Sequence, residues 1–155
     1  MTDKIQNDEF TPLLIAAWRG DEAEVARLLA AGANVHDRDD FALYLAARKG
    51  HDAVVARLLA AGADVHANRD VALYWAAREG RDVVVARLLA AGANVHARDD
   101  IALYEAARQG HDAVVARLLA AGADEDALRA AADTPAVVEV LRVAARERDR
   151  NRYWV

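Results

Sequence analysis

The eight glycines of this chain are Gly20, Gly32, Gly50, Gly62, Gly80, Gly92, Gly110 and Gly122. Their gaps alternate between 12 and 18 residues, so the chain repeats every 30 residues. A fixed period of about 20–50 residues signals a stacked repeat array, in which each unit touches only its neighbours. The 155 residues are therefore not read as one globular core. Function in such an array lies on a surface running across units.

Hydrophobic residues make up 55 % of the chain but aromatic residues only 6 %, so Ala, Leu and Val must supply the core. Small interdigitating side chains suit closely stacked helices better than a large enclosed pocket. The net charge of −5 argues against nucleic acid, which requires a basic face to neutralise phosphates. With no cysteine, disulfides and thiolate metal sites are excluded. Met1 to Asn7 lack the apolar segment of a secretory signal, and no apolar run reaches the roughly 18 residues of a membrane span. A cytoplasmic monomer with no cofactor and no membrane contact is expected.

Residues 41–70 show one unit. Leu43, Ala46 and Ala47 share one helical face, and Val54, Val55, Leu58 and Leu59 form a wider apolar stripe with Arg57 outside it. Gly50 and Gly62 follow these runs, where a residue with positive φ commonly ends a helix. Asp40 or Asp52 is suited to accept hydrogen bonds at a helix start. Each unit thus reads as a short helix, a tight turn, a longer helix and a polar connector. Helices this short are marginal alone and depend on stacking.

The expected organisation is a lead-in (1–9), a first repeat acting as N-terminal cap (10–36), and repeats at 37–66, 67–96 and 97–124. A degenerate capping repeat (125–148) and a tail (149–155) complete the chain. In the capping repeat, Ala127–Ala132 echoes a first helix and Val137–Leu141 a second, with Pro135 near the turn. A polar, atypical last unit stops further stacking.

The repeats resemble the ankyrin family. Thr11-Pro12-Leu13-Leu14-Ile15-Ala16-Ala17 is similar to its T-P-L-H-x-A box, and Gly50-His51 and Gly110-His111 to its G-H turn. Leu58 to Val65 is similar to the L-L-x-x-G-A-D-V segment. The resemblance implies an all-α, ankyrin-like repeat solenoid of stacked helix-turn-helix pairs that holds a protein or peptide on the concave surface of its first helices. This unit is 30 residues instead of the family's 33, with the shortfall in the connector, so the projecting hairpin is expected to be reduced to a loop.

Comparing units locates variation. Residues 41–64 and 101–124 differ at only three positions: Phe41/Ile101, Leu45/Glu105 and Lys49/Gln109. The middle unit has Val71, Trp75 and Glu79 there. Position 41 stays apolar and reads as core. Positions 45 and 49 share a helical face and vary from aliphatic to aromatic to acidic, which tightly packed core does not tolerate. The candidate protein-binding residues are Trp18, Arg19, Leu45, Lys49, Trp75, Glu79, Glu105 and Gln109, with Trp75 foremost because aromatics anchor interfaces. The competing reading packs Trp75 on Tyr44, Tyr74 or Tyr104. Those tyrosines, and Arg48, Arg78 and Arg108, recur identically and read as inter-repeat packing.

His36, His66 and His96 recur with the same period, but successive repeats are spaced about 10 Å apart, too far to share a metal whose ligands lie about 2 Å away. Asp39-Asp40, Asp70 and Asp99-Asp100 precede each first helix and read as caps. No catalytic residues, metal ligands or cofactor are assigned, and no enzyme is read. The alternative to a natural interaction module is an engineered or idealised ankyrin-type scaffold with no natural partner, suggested by the identity of residues 51–64 with 111–124.

Overall fold

The computed structural model describes residues 10–130 and 134–152. The lead-in 1–9, the end of the echoed helix at 131–132 and the last residues 153–155 lie outside them. Four complete helix pairs follow in chain order: α1 (Pro12–Arg19) with α2 (Glu22–Ala30), α3 (Phe41–Lys49) with α4 (Asp52–Ala60), α5 (Ala67–Arg78) with α6 (Asp82–Ala90), and α7 (Ala97–Gln109) with α8 (Asp112–Ala120). A last pair, α9 (Glu125–Ala130) and α10 (Pro135–Arg152), closes the array. No strand occurs among the described residues.

Each pair is held by a repeated apolar set. Leu13, Leu43, Leu73 and Leu103 from the first helices are buried, as are Leu58, Leu88 and Leu118 from the second. The paired alanines at 16–17, 46–47, 76–77 and 106–107 are also buried, which lets neighbouring first helices approach closely. First helices pack on one another more extensively than second helices do. Between α2 and α4 the outer layer leaves an open groove of about 550 Å³ lined by Ala26, Ala53, Ala56 and Ala60 among others. The first helices thus form the more closely packed, inner layer and the second helices the more open, outer one.

The glycines end helices by hydrogen bonding as well as by conformation. Gly50 has φ 84°, its N–H donates to Ala47 O at 3.1 Å, and the next N–H, of His51, donates to Ala46 O at 3.0 Å. These two bonds satisfy carbonyls that the helix leaves open. A neighbour crowds the same spot. A Cβ on Gly50 would lie 2.7 Å from Arg81 Cδ, and one on Gly80 would lie 2.6 Å from the His111 ring. His111 Nε2 bonds Arg78 O at 3.0 Å, and Arg81 Nε donates to Arg48 O at 3.1 Å. His51 Nε2 bonds Trp18 O in the same way at 3.0 Å, so the second, third and fourth repeats each cap the first helix of the one before.

In the first two pairs the first and second helices differ in length by at most one residue, with eight residues in α1. α2, α4, α6 and α8 have nine residues, as does α3. The Ala-Ala-Gly step after each second helix is a turn, with Gly62 at φ 96° donating to Leu59 O. At the other end of the chain, α10 runs through Arg152, into the segment read as tail.

The connector also departs from expectation. Arg38–Asp39–Asp40, Asn68–Arg69–Asp70 and Arg98–Asp99–Asp100 each wind one left-handed turn, with φ between 52° and 58°. For L-residues this conformation costs about 1–2 kcal/mol per residue, least for Asn and Asp. What offsets it is the third residue of each turn. Asp40, Asp70 and Asp100 are buried, and their Oδ1 atoms accept the N–H of Asp64, Asn94 and Asp124, 24 residues on in the following connector, at 2.8, 2.7 and 2.9 Å. His36, His66 and His96 donate from Nδ1 to the same carboxylates at 3.1 Å. Asp40 makes no capping bond to its own helix, and Asp52 spends its carboxylate on Arg87. The connector aspartates link successive connectors, and Asp21 is the residue that caps, accepting from Glu24 N at 3.0 Å.

Candidate partner-binding face

The inner layer exposes the last turns of α1, α3, α5 and α7. Leu45 does not belong to that surface. It is 4 % exposed and joins the core, against which Trp18 also packs in part. Variation at position 45/75/105 is therefore not by itself a mark of exposure.

Trp75 is half-buried and held on all sides. Its ring meets Tyr74 at 5.3 Å and Tyr44 of the preceding repeat at 6.1 Å, both edge-on. The Arg48 guanidinium lies over it at 4.5 Å and the Arg78 guanidinium at 4.8 Å. Two cations from successive repeats thus share one indole, each such contact being worth about 0.5–2 kcal/mol. The tyrosine–arginine ladder works within each helix: Arg48 donates to Tyr44 Oη at 3.2 Å and Arg78 to Tyr74 Oη at 3.4 Å.

One repeat on, Glu105 takes the place of Trp75. Its carboxylate is 3.0 Å from Arg108 and 3.7 Å from Arg78, and its side chain is only 12 % exposed. Glu79 reaches Arg48 at 3.9 Å. At the front of the array, Lys49 Nζ sits 3.5 Å from the centroid of Trp18. Arg19 and Gln109 are exposed. Trp18, Lys49, Trp75, Glu79 and Glu105 thus lie on one continuous row, with Arg19 and Gln109 at its two ends.

Arg48, Arg78 and Arg108 form the spine of that row, although their recurrence alone suggests packing. Their side chains keep 38, 35 and 39 % of their surface. The signal for them is positional: each lies three residues after the variable site, hence on the same helical face.

The outer layer carries a different ladder. Arg87 makes paired bonds to Asp52 at 2.6 and 2.7 Å, and Arg117 to Asp82 at 2.7 and 2.8 Å. These hydrogen bonds hold both carboxyls below the usual aspartate value. Arg57 and Glu22 repeat the pairing at the first step.

Among the described residues, no group of three or more His, Cys, Asp or Glu is arranged to hold a metal ion, and no helix is long and apolar enough to cross a membrane. The family model for ankyrin repeats (3 copies) matches residues 1–69 and 43–129. The chain belongs to the ankyrin repeat family. No individual curated protein matches it. Ankyrin repeats are generally protein–protein interaction modules and are typically non-enzymatic. This ankyrin array keeps the family's helix pairs while replacing the connecting hairpin with a left-handed turn tied down by Asp40, Asp70 and Asp100.

Proposed function

We propose that this ankyrin array is a non-enzymatic module that binds a protein or peptide along the inner layer of first helices, centred on Trp75. The row formed by Arg48, Trp75, Arg78, Glu105 and Arg108 carries the reading. It spans three repeats, is half-exposed, and combines an aromatic side chain with arginines, the residue types most enriched at binding hot spots. Trp18, Arg19, Lys49, Glu79 and Gln109 extend the surface. Leu45 supports it from beneath.

Peptide display on the immobilised full chain tests the reading. Selected peptides should lose at least about tenfold in affinity with Trp75→Ala, a change of about 1.4 kcal/mol, while Arg117→Gln on the outer layer leaves affinity unchanged. Helicity by circular dichroism guards against misfolding. Peptides insensitive to Trp75 would overturn the proposal. The scaffold alternative draws on the identity of residues 51–64 with 111–124 and expects no selected peptide to depend on this row.

A further inference from the structure

Resting on that reading of the inner face, we infer that its partner is an acidic peptide segment whose carboxylates, three residues apart, dock on the indole-backed cations of successive repeats. The chain contains its own example of the interaction. Glu105 occupies the interval between Arg78 and Arg108 as an internal carboxylate. In the preceding interval, between Arg48 and Arg78, the indole of Trp75 stands where that carboxylate would be.

An arginine stacked on a ring uses its planar face and leaves its edge to receive a carboxylate. Of the five N–H donors of a guanidinium, the phenol of Tyr44 or Tyr74 takes one from Arg48 or Arg78. Glu79 and Glu105 stand at 3.9 and 3.7 Å from the Nε atoms of Arg48 and Arg78, beyond direct hydrogen-bond distance, and both arginine side chains remain more than a third exposed. The Lys49 ammonium on Trp18 repeats the motif one unit earlier, with exposed Arg19 in the same helix as Trp18.

Charge favours the same occupant. Over residues 12–19, 41–49, 71–79 and 101–109 the first-helix segments carry Arg19, Arg48, Lys49, Arg78 and Arg108 against only Glu79 and Glu105, in a chain whose net charge is −5. A local positive row on an acidic protein favours an acidic partner.

Spacing sets the register. Packed helices lie about 8–10 Å apart, so equivalent cations recur at about that distance. A polyproline II strand advances about 9.3 Å in one three-residue turn and presents positions i and i+3 on one side. A β-strand would point them to opposite faces.

The probe is a fluorescein-labelled peptide of three Glu-Pro-Pro units, measured by fluorescence anisotropy against the full chain at low salt. Two controls share its length: one with Gln for every Glu, and one with the three Glu residues consecutive. The Glu-Pro-Pro peptide should bind about tenfold or more tightly than either control. Arg78→Gln should weaken it about tenfold, and Arg117→Gln should not. Trp75→Glu installs the carboxylate that Glu105 already shows to be tolerated, so it should preserve helicity and abolish binding. Equal binding of the Gln peptide, no binding of the Glu-Pro-Pro peptide, or indifference to Arg78→Gln would overturn the inference. If display-selected peptides prove non-acidic yet depend on Trp75, the inner-face reading stands and this inference alone fails.

Discussion

Arg48 and Trp75 belong to successive repeats, and the guanidinium of the first lies 4.5 Å from the centre of the second's indole. The contact joins an element that recurs unchanged to one that varies, and so ties neighbouring units through the face proposed to bind. Trp75→Ala should lower stability by about 1–3 kcal/mol, from two lost cation–π contacts and lost ring packing. A double-mutant cycle with Arg48→Gln in urea unfolding should give a coupling of about 0.5–1 kcal/mol. Strict additivity would remove Arg48 from the account.

Asp70 links successive connectors through one buried carboxylate, accepting from His66 and from the Asn94 N–H. Asp70→Ala strands that N–H and should cost about 1–3 kcal/mol. Asp70→Asn keeps an oxygen acceptor for Asn94 and should cost less. Urea midpoints for the two variants check the order, and equal losses would contradict the link.

Gly80 and Gly92 both have positive φ, at 69° and 94°, but differ in surroundings. A Cβ on Gly80 meets the His111 ring at 2.6 Å, whereas one on Gly92 meets nothing within 4 Å. Gly92→Ala should cost about 1–2 kcal/mol for the left-handed conformation alone. Gly80→Ala should cost about 0.5–1.5 kcal/mol more, the worth of the displaced His111 bond to Arg78 O. Adding His111→Ala to each background should remove that difference in thermal unfolding.

Acid should loosen the outer layer. Arg87 and Arg117 hold the Asp52 and Asp82 carboxyls below their ordinary value through direct hydrogen bonds. A depressed folded pKa contributes stability that is complete above the unfolded value, about 3.9, and is lost as pH falls through the folded one. Thermal melts should therefore drop below about pH 4, and the drop should shrink in the Arg87→Gln/Arg117→Gln variant. High salt should mimic part of the effect at neutral pH.

The glycine spacing made the architecture legible, because a 30-residue period with helix-ending glycines has few physical solutions. The inner face was legible in outline, from variation at positions 45 and 49 and their equivalents. Leu45 was not, since its position varies between units as an exposed site would, although the side chain itself is buried. The role of Asp40, Asp70 and Asp100 was hidden for a related reason. Their position before a helix suggests a cap, whereas the N–H they bind lies 24 residues on. The left-handed turn that aims them there carries no glycine to announce it.

The three tryptophans offer the most direct measurement of the proposed face. In an ¹⁵N-labelled chain, the indole N–H signals of Trp75 and Trp18, assigned by substitution, can be followed while a display-selected peptide is added. The account predicts that both shift and saturate together, while the backbone amides of α4 and α6 stay in place. Saturation that moves α4 and α6 and leaves both indoles unchanged would contradict it.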